Sequence, residues 1–127
     1  MKGLNLAVVG ATGAVGQEMI KILEERNFPI KNIKLIASKK SEGKKLRFLD
    51  KEVKVETIDK NTFNDIDIAL FSIASSLSKK YAVQAANSGA IVIDNSNAFR
   101  MDQEVPLVVP EINEKEIYKN NGIIANP

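Results

Sequence analysis

Gly10, Gly13 and Gly16 stand three apart in GATGAVG, directly behind the apolar run LNLAVV. A stretch this bare of side chains lets a charged group come close to the main chain. Each glycine has its own task in such a loop. The first takes backbone angles closed to other residues at the turn. The second admits a diphosphate, and the third lets a helix pack tightly on a strand. Amides freed at a helix start, with the helix dipole behind them, attract an anion. Thr12 adds a hydroxyl donor, while Ala14 and Val15 offer amides and keep the floor low. The spacing is G-x-x-G-x-x-G, where the dinucleotide fingerprint is G-x-G-x-x-G, and a ligand-free strand–helix connection also uses glycine. Context favours a dinucleotide: the motif follows a strand, opens a helix and lies at the first βα turn.

A second set of chemically apt residues follows. Proteins that hold NAD commonly place Asp or Glu about 20 residues past the glycines, on the ribose 2′-hydroxyl. Here Ser38, Lys39, Lys40 and Ser41 occupy that stretch, and residues 39–54 carry seven basic and three acidic side chains. Hydroxyls and ammonium groups suit a 2′-phosphate that a carboxylate would repel, so the expected cofactor is NADP. Glu42 stands close by and argues the other way, and a solvated lysine loop is the plain alternative.

These residues need a scaffold. Leu4–Val9, NIKLIAS (32–38), DIALFS (67–72) and AIVID (90–94) read as apolar strands, with short strands at Leu46–Leu49 and Val53–Thr57. Helical spacing runs from Gly13 to about Arg26, with Val15, Met19, Ile22 and Leu23 on the apolar face, and again over Ser76–Ser88. One helical turn is expected at Asp59–Asn64. Residues 106–112 read as extended, Asn113 with Glu116 as a capping box opening a short helix, and IIANP as a last strand. Strands alternating with helices imply an α/β fold: a doubly wound, mostly parallel sheet of Rossmann-like type.

Composition narrows the chemistry. The 127 residues carry 18 basic and 16 acidic side chains, a balance that calls for no nucleic-acid partner. With no cysteine and no histidine, they offer neither a thiol, nor the commonest general base, nor the commonest zinc ligand, and no metal site is expected. No apolar run approaches membrane-spanning length, and the N-terminus lacks a secretory pattern, so a cytoplasmic location is expected.

GATGAVGQEM, LIASKKSEGKKLRF, DIALFS, VIDNSNAFRM and VPLVVPEIN, in that order, resemble the N-terminal half of aspartate-semialdehyde dehydrogenase. The resemblance spans nearly the whole chain, and NAFRMDQEVPLVVPEIN is its most specific piece. It implies reduction of 4-aspartyl phosphate to aspartate 4-semialdehyde with NADPH, on the path to lysine, threonine and methionine. It places Gly10, Thr12, Gly13, Ala14 and Val15 on the diphosphate. Ser38, Lys40 and Ser41 fall on the 2′-phosphate, and Ser72 in the small-residue loop beside the cofactor. Lys40 replaces the family's usual arginine and keeps the charge without the planar fork. Ile73 is bulkier than the family's residue and is expected to turn away.

Arg100 follows a strand, where it can grip an oxyanion in bidentate fashion or pair with Asp102 or Glu104 at the surface. The resemblance favours the phosphate of the substrate. Asn95 and Ser96 either reach the nicotinamide end or satisfy loop backbone. In the family the catalytic cysteine would stand two residues beyond Pro127, with the acid–base histidine and the substrate and dimerisation domain later still. Residues 1–127 are therefore expected to form an NADP-binding domain, inactive alone, from an enzyme that is a homo-oligomer at full length. The rival readings are the cofactor domain of N-acetylglutamyl-phosphate reductase and a non-catalytic NADP-sensing module.

Overall fold

The computed structural model describes residues 3–127. Seven strands form one sheet: β1 (Leu4–Val9), β2 (Ile30–Ile36), β3 (Lys45–Phe48), β4 (Lys51–Glu56), β5 (Ile68–Phe71), β6 (Ile91–Asp94) and β7 (Ile123–Ala125). Their spatial order is β3-β4-β2-β1-β5-β6-β7. Every neighbouring pair is parallel except the β3–β4 hairpin. The chain winds outward from β1 through β2, then returns to the other side of β1 as β5. Strand order thus reverses at β1, and the crevice beyond its carboxyl end is where such sheets take ligands.

Side chains alternate along β1. Leu6 and Val8 join Leu35, Val55 and Ile20 on one face, while Ala7 and Val9 join Phe63, Phe71, Ala82, Ala85 and Val92 on the other. The period of two puts an apolar core on each side of the sheet, so these strands read as continuous apolar runs. Helix α1 (Ala14–Glu25) covers the first face and α2 (Ser75–Asn87) the second. The buried line of α1 runs through Gly16 and Ile20. Val15, counted among its apolar positions in the sequence, is instead 47% exposed and stands at the mouth of the crevice.

Three local expectations need correction. Residues 60–65 form turns and no helix. Thr62 Oγ1 accepts from Asp59 N (2.7 Å) and Asp59 Oδ1 from Asn61 N (2.7 Å), while the main chain closes separate three-apart turns, Thr62 N to Asp59 O (3.3 Å) and Asn64 N to Asn61 O (3.1 Å). Phe63 hangs from this turn into the core and stacks on Phe71 at 5.9 Å. The second strand starts earlier than expected and ends at Ile36, because the chain turns at Ser38 into a 3-10 helix, Lys39–Ser41. Lastly, α3 (Pro110–Asn113) begins at its proline, a favoured first helical position, and passes into a 3-10 helix over Glu114–Lys119. Asn113 opens no capping box. Its Oδ1 accepts from Val109 N (2.8 Å) and its Nδ2 donates to Leu107 O (2.8 Å), while Glu116 pairs with Lys119 at 3.0 Å.

Candidate functional site

The three glycines separate by what demands them. Gly10 sits at φ +94°, and a Cβ there would run into the carbonyl oxygen of Ser72 on β5's exit. A Cβ on Gly16 would run into the carbonyl oxygen of Gly10. Both are therefore required by the protein's own packing. Gly13 has φ −76°, and a Cβ there would meet only Gly10 O, at an ordinary 3.5 Å. No packing contact within the fold needs Gly13 to be bare. Its missing side chain clears the space over the start of α1.

The turn itself is rigid. Gly10 N and Ala11 N both donate to Ile36 O (2.8 and 3.0 Å), Gly13 N donates to Gly10 O (3.1 Å), and Gln17 Nε2 holds Thr12 O (2.8 Å). No side chain caps the first turn of α1, and no acidic residue stands in it. The orphan amides at Ala14 and Val15 therefore face outward beside the positive end of the helix dipole.

Beside the loop opens a cavity of about 730 Å3 whose floor is Val9, Gly10 and Thr12. One wall is polar: Ser38, Lys39, Glu42 and Thr57. The other is apolar: Ile58, Ile73, Leu77 and Tyr81. An apolar slot next to a polar turn suits an aromatic base joined to a sugar phosphate.

The sequence-selected residues fall in three groups. Gly10, Thr12 and Ser38 line the cavity. Ser41 is buried behind it, its Oγ 3.2 Å from Thr12 Oγ1, so the serine turn is fastened to the glycine loop. Gly13, Ala14 and Val15 lie exposed at the rim. Lys40 points to solvent, and it is Lys39 that reaches the wall. Ser72 contributes main chain, donating to Val9 O (2.8 Å) and closing against Gly10. Ile73 does not turn away: it forms part of the apolar wall. Thr57, Ile58, Leu77 and Tyr81 were not singled out as ligand residues. Only the pairing of β4 with β2 and the packing of α2 on the sheet bring them here, and the helical spacing of Leu77 and Tyr81 is equally that of a core face. Glu42 Oε2 accepts from Thr57 Oγ1 at 3.0 Å, which fixes a carboxylate on the polar wall.

Arg100 lies beyond the carboxyl end of β6, away from this cavity. Its Nη1 donates to Asn97 Oδ1 (3.1 Å), and its Nη2 to Asn95 O (3.0 Å) and Asn126 O (3.4 Å). Its Nε is buried without an acceptor. Among the described residues it makes no ion pair. Asp102 Oδ1 instead accepts from Glu104 N (2.9 Å), which removes the surface salt bridge as its explanation. Asn95 Nδ2 donates to Asn126 Oδ1 (3.2 Å), and Ser96 binds Asp94, so both serve the loop's own bonding.

A bare glycine turn at the switch point of a doubly wound sheet, flanked by a slot with one polar and one apolar wall, defines a nucleotide-binding domain. The chain belongs to the semialdehyde dehydrogenase family of NAD-binding domains, whose family model matches residues 5–120. It is 52% identical over 126 residues to the aspartate-semialdehyde dehydrogenase of Bacillus subtilis, covering 99% of this chain and 36% of that protein. Identity to the Aquifex aeolicus enzyme of the same name is 54% over 128 residues, covering 98% and 38%. The crystal structure of aspartate semialdehyde dehydrogenase II from Vibrio cholerae complexed with ASA has the same fold, with a TM-score of 0.95 and 47% identity, and covers 99% of this chain and 42% of that one. The chain thus spans between a third and two fifths of the curated relatives it matches. The resemblance to the cofactor-binding half of that enzyme is borne out, as is the doubly wound fold.

Proposed function

We propose that these 127 residues form the NADP-binding domain of an aspartate-semialdehyde dehydrogenase. The observation that carries the reading is Gly13, a glycine no packing contact requires, at the start of α1 beside the cavity, where no side chain caps the helix. The amides of Ala14 and Val15 and the hydroxyl of Thr12 would hold the diphosphate, and the apolar wall at Ile58, Ile73, Leu77 and Tyr81 the adenine. Ser38 and Lys39 would take the 2′-phosphate, with Ser41 as the post behind them and Lys40 adding field from solvent. When bound, NADPH supplies hydride. Arg100 would meet the phosphate of the acyl-phosphate substrate, its unpaired Nε–H being the donor still without an acceptor.

The covalent step in this family's reaction needs a thiol. The chain holds no cysteine and no histidine, so it is expected to bind without turning over. A cytoplasmic site, assembly as a homo-oligomer at full length and a place in lysine, threonine and methionine synthesis belong to the same reading. Among the described residues no helix is long and apolar enough to cross a membrane.

One observation favours NAD as a second reading. Glu42 lines the polar wall, and a carboxylate there can accept from a free ribose hydroxyl. Thermal unfolding of the chain in rising NADPH and NADH decides between them. A ligand held only by the folded state stabilises it by about 2.7 kcal/mol at a hundred times its Kd. The expected result is stabilisation by NADPH at concentrations at least tenfold below those NADH requires, a ratio worth about 1.4 kcal/mol. Equal effects, or none, defeat the NADP assignment.

A further inference from the structure

Asp94, at the carboxyl end of β6, is completely buried, and among the described residues no cation pairs with it. A buried carboxylate is costly unless its lone pairs are filled. Here neutral donors fill them. Ser78 Oγ of α2, itself wholly buried, donates to Oδ1 at 2.6 Å. Ser96 N donates to the same oxygen at 3.2 Å, and Ser96 Oγ to Oδ2 at 2.7 Å.

An apolar pair would join α2 to β6 without that cost. What the carboxylate adds is one oxygen, Oδ1, shared by the helix and the turn that follows, and a second, Oδ2, given to the turn alone. Ser96 Oγ passes the connection on by accepting from Ala98 N (3.1 Å). The main-chain oxygen of Asp94 accepts from Asn126 N (2.9 Å), and Asn95 N donates to Phe71 O (3.0 Å). The three acceptors of the Arg100 guanidinium lie on residues 95, 97 and 126, and Asp94 adjoins or bonds the segments that carry them.

We propose that Asp94 is the positioning residue for Arg100: through Ser96 it sets the turn whose oxygens hold the guanidinium, and so keeps the unpaired Nε–H in place and dry. The purpose of that donor rests on the reading of Arg100 as an oxyanion residue. Asparagine replaces the carboxylate at the loss of one hydrogen bond. Ser96 N can only donate, so the amide oxygen must stay at Oδ1 and the amide nitrogen then faces Ser96 Oγ. That oxygen can take the amide on its second lone pair beside Ala98 N, but its own hydrogen then loses its acceptor.

The test is the Nε–H resonance of Arg100 in the 15N-labelled chain, assigned by its loss in Arg100→Lys. Arg26 and Arg47 are exposed and serve as internal references, Arg26 as the freer of the two because Arg47 Nε donates to Leu49 O (3.3 Å). Burial predicts solvent exchange at Arg100 slower than theirs by about tenfold or more. Asp94→Asn and Ser96→Ala are expected to abolish most of that difference. Ser78→Ala cuts only the helix side: it should lower the melting temperature yet leave Arg100 protected. Added inorganic phosphate should shift the Arg100 resonance, at about fivefold higher concentration in Asp94→Asn and Ser96→Ala. If Asp94→Asn does not fold, Ser96→Ala carries the test alone. Protection that follows melting temperature across all variants, Ser78→Ala included, makes Asp94 a staple and overturns the inference. A phosphate-responsive Arg100 that Asp94→Asn and Ser96→Ala leave unaltered overturns it alone. An Arg100 silent to phosphate in the unaltered chain defeats the oxyanion reading and takes the inference with it.

Discussion

At Gly10–Val15 the chain presents bare main chain over open space, with helix amides left to a visitor; at Asp94–Arg100 almost every polar atom already has a partner within the protein. The first region is built by removing side chains and the second by packing polar ones together. The contrast teaches where each can fail. A site made of backbone is disrupted by adding an atom, and a site made of side-chain bonds by deleting one.

The largest expected effect comes from adding that atom where the fold has no room. Gly10→Ala must hold a strained φ and displace Ser72 O, and Gly16→Ala must displace Gly10 O. Overpacking of this kind costs ~1–3 kcal/mol, and the left-handed angle at Gly10 adds ~1–3 kcal/mol more. Urea unfolding should rank Gly10→Ala below Gly16→Ala, and both well below the unaltered chain. Deleting a bond in the other region comes next. Ser78→Ala leaves Asp94 short of a donor, at a cost of about 1–3 kcal/mol. The same urea series measures it, and NADPH affinity should not change.

Gly13→Ala sharpens the comparison because it separates binding from folding. Its backbone angles suit any residue and its surroundings are open, but it is the N-cap of α1, where alanine is poorer than glycine; that cost offsets the gain of about 0.4–1 kcal/mol from a stiffer unfolded chain, and stability should change by less than ~1 kcal/mol. NADPH affinity should nevertheless fall by about tenfold if, as proposed, the diphosphate approaches where the methyl group would stand. An alanine variant that binds NADPH as tightly as the unaltered chain would show that the loop is bare for reasons other than a ligand.

How legible each region was in the sequence follows from the same contrast. The glycine loop was readable because its cause is local: an apolar run, three missing side chains and a helical period fall within 23 residues. The two-sided sheet was readable for a similar reason, since strands buried on both faces leave runs such as LNLAVV. The cavity's far wall was not. Thr57 and Ile58 reach it because β4 pairs with β2, and Tyr81 because α2 crosses the sheet; no short-range pattern encodes either. Lys39 and Lys40 are adjacent and alike, and which one meets the wall depends on a 3-10 turn the sequence does not announce. Asp94 read as the last residue of a strand, and its burial against Ser78 is a contact 16 residues apart. At Asn113 the capping-box spacing was present, but Pro110 started the helix first.

The smallest predicted effect concerns Glu42, the residue on which the cofactor assignment turns. Its carboxylate sits on the same wall as Ser38 and Lys39 and is held by Thr57 at 3.0 Å. If the 2′-phosphate binds there, Glu42 opposes it, and Glu42→Gln should raise NADPH affinity while leaving NADH nearly unchanged. Glu42 is exposed, so water and salt screen the repulsion, and the gain should be about threefold, under ~1 kcal/mol. Screening supplies its own check: the gain should shrink as ionic strength rises past physiological, where the Debye length falls below about 8 Å. If Glu42 instead grips the ribose of NAD, the same substitution should weaken NADH and spare NADPH, because the amide keeps one acceptor but loses the charge that strengthens the bond. The sign of the change in the NADPH to NADH ratio is the same under both accounts. The measurement that separates them is therefore which of the two dissociation constants moves.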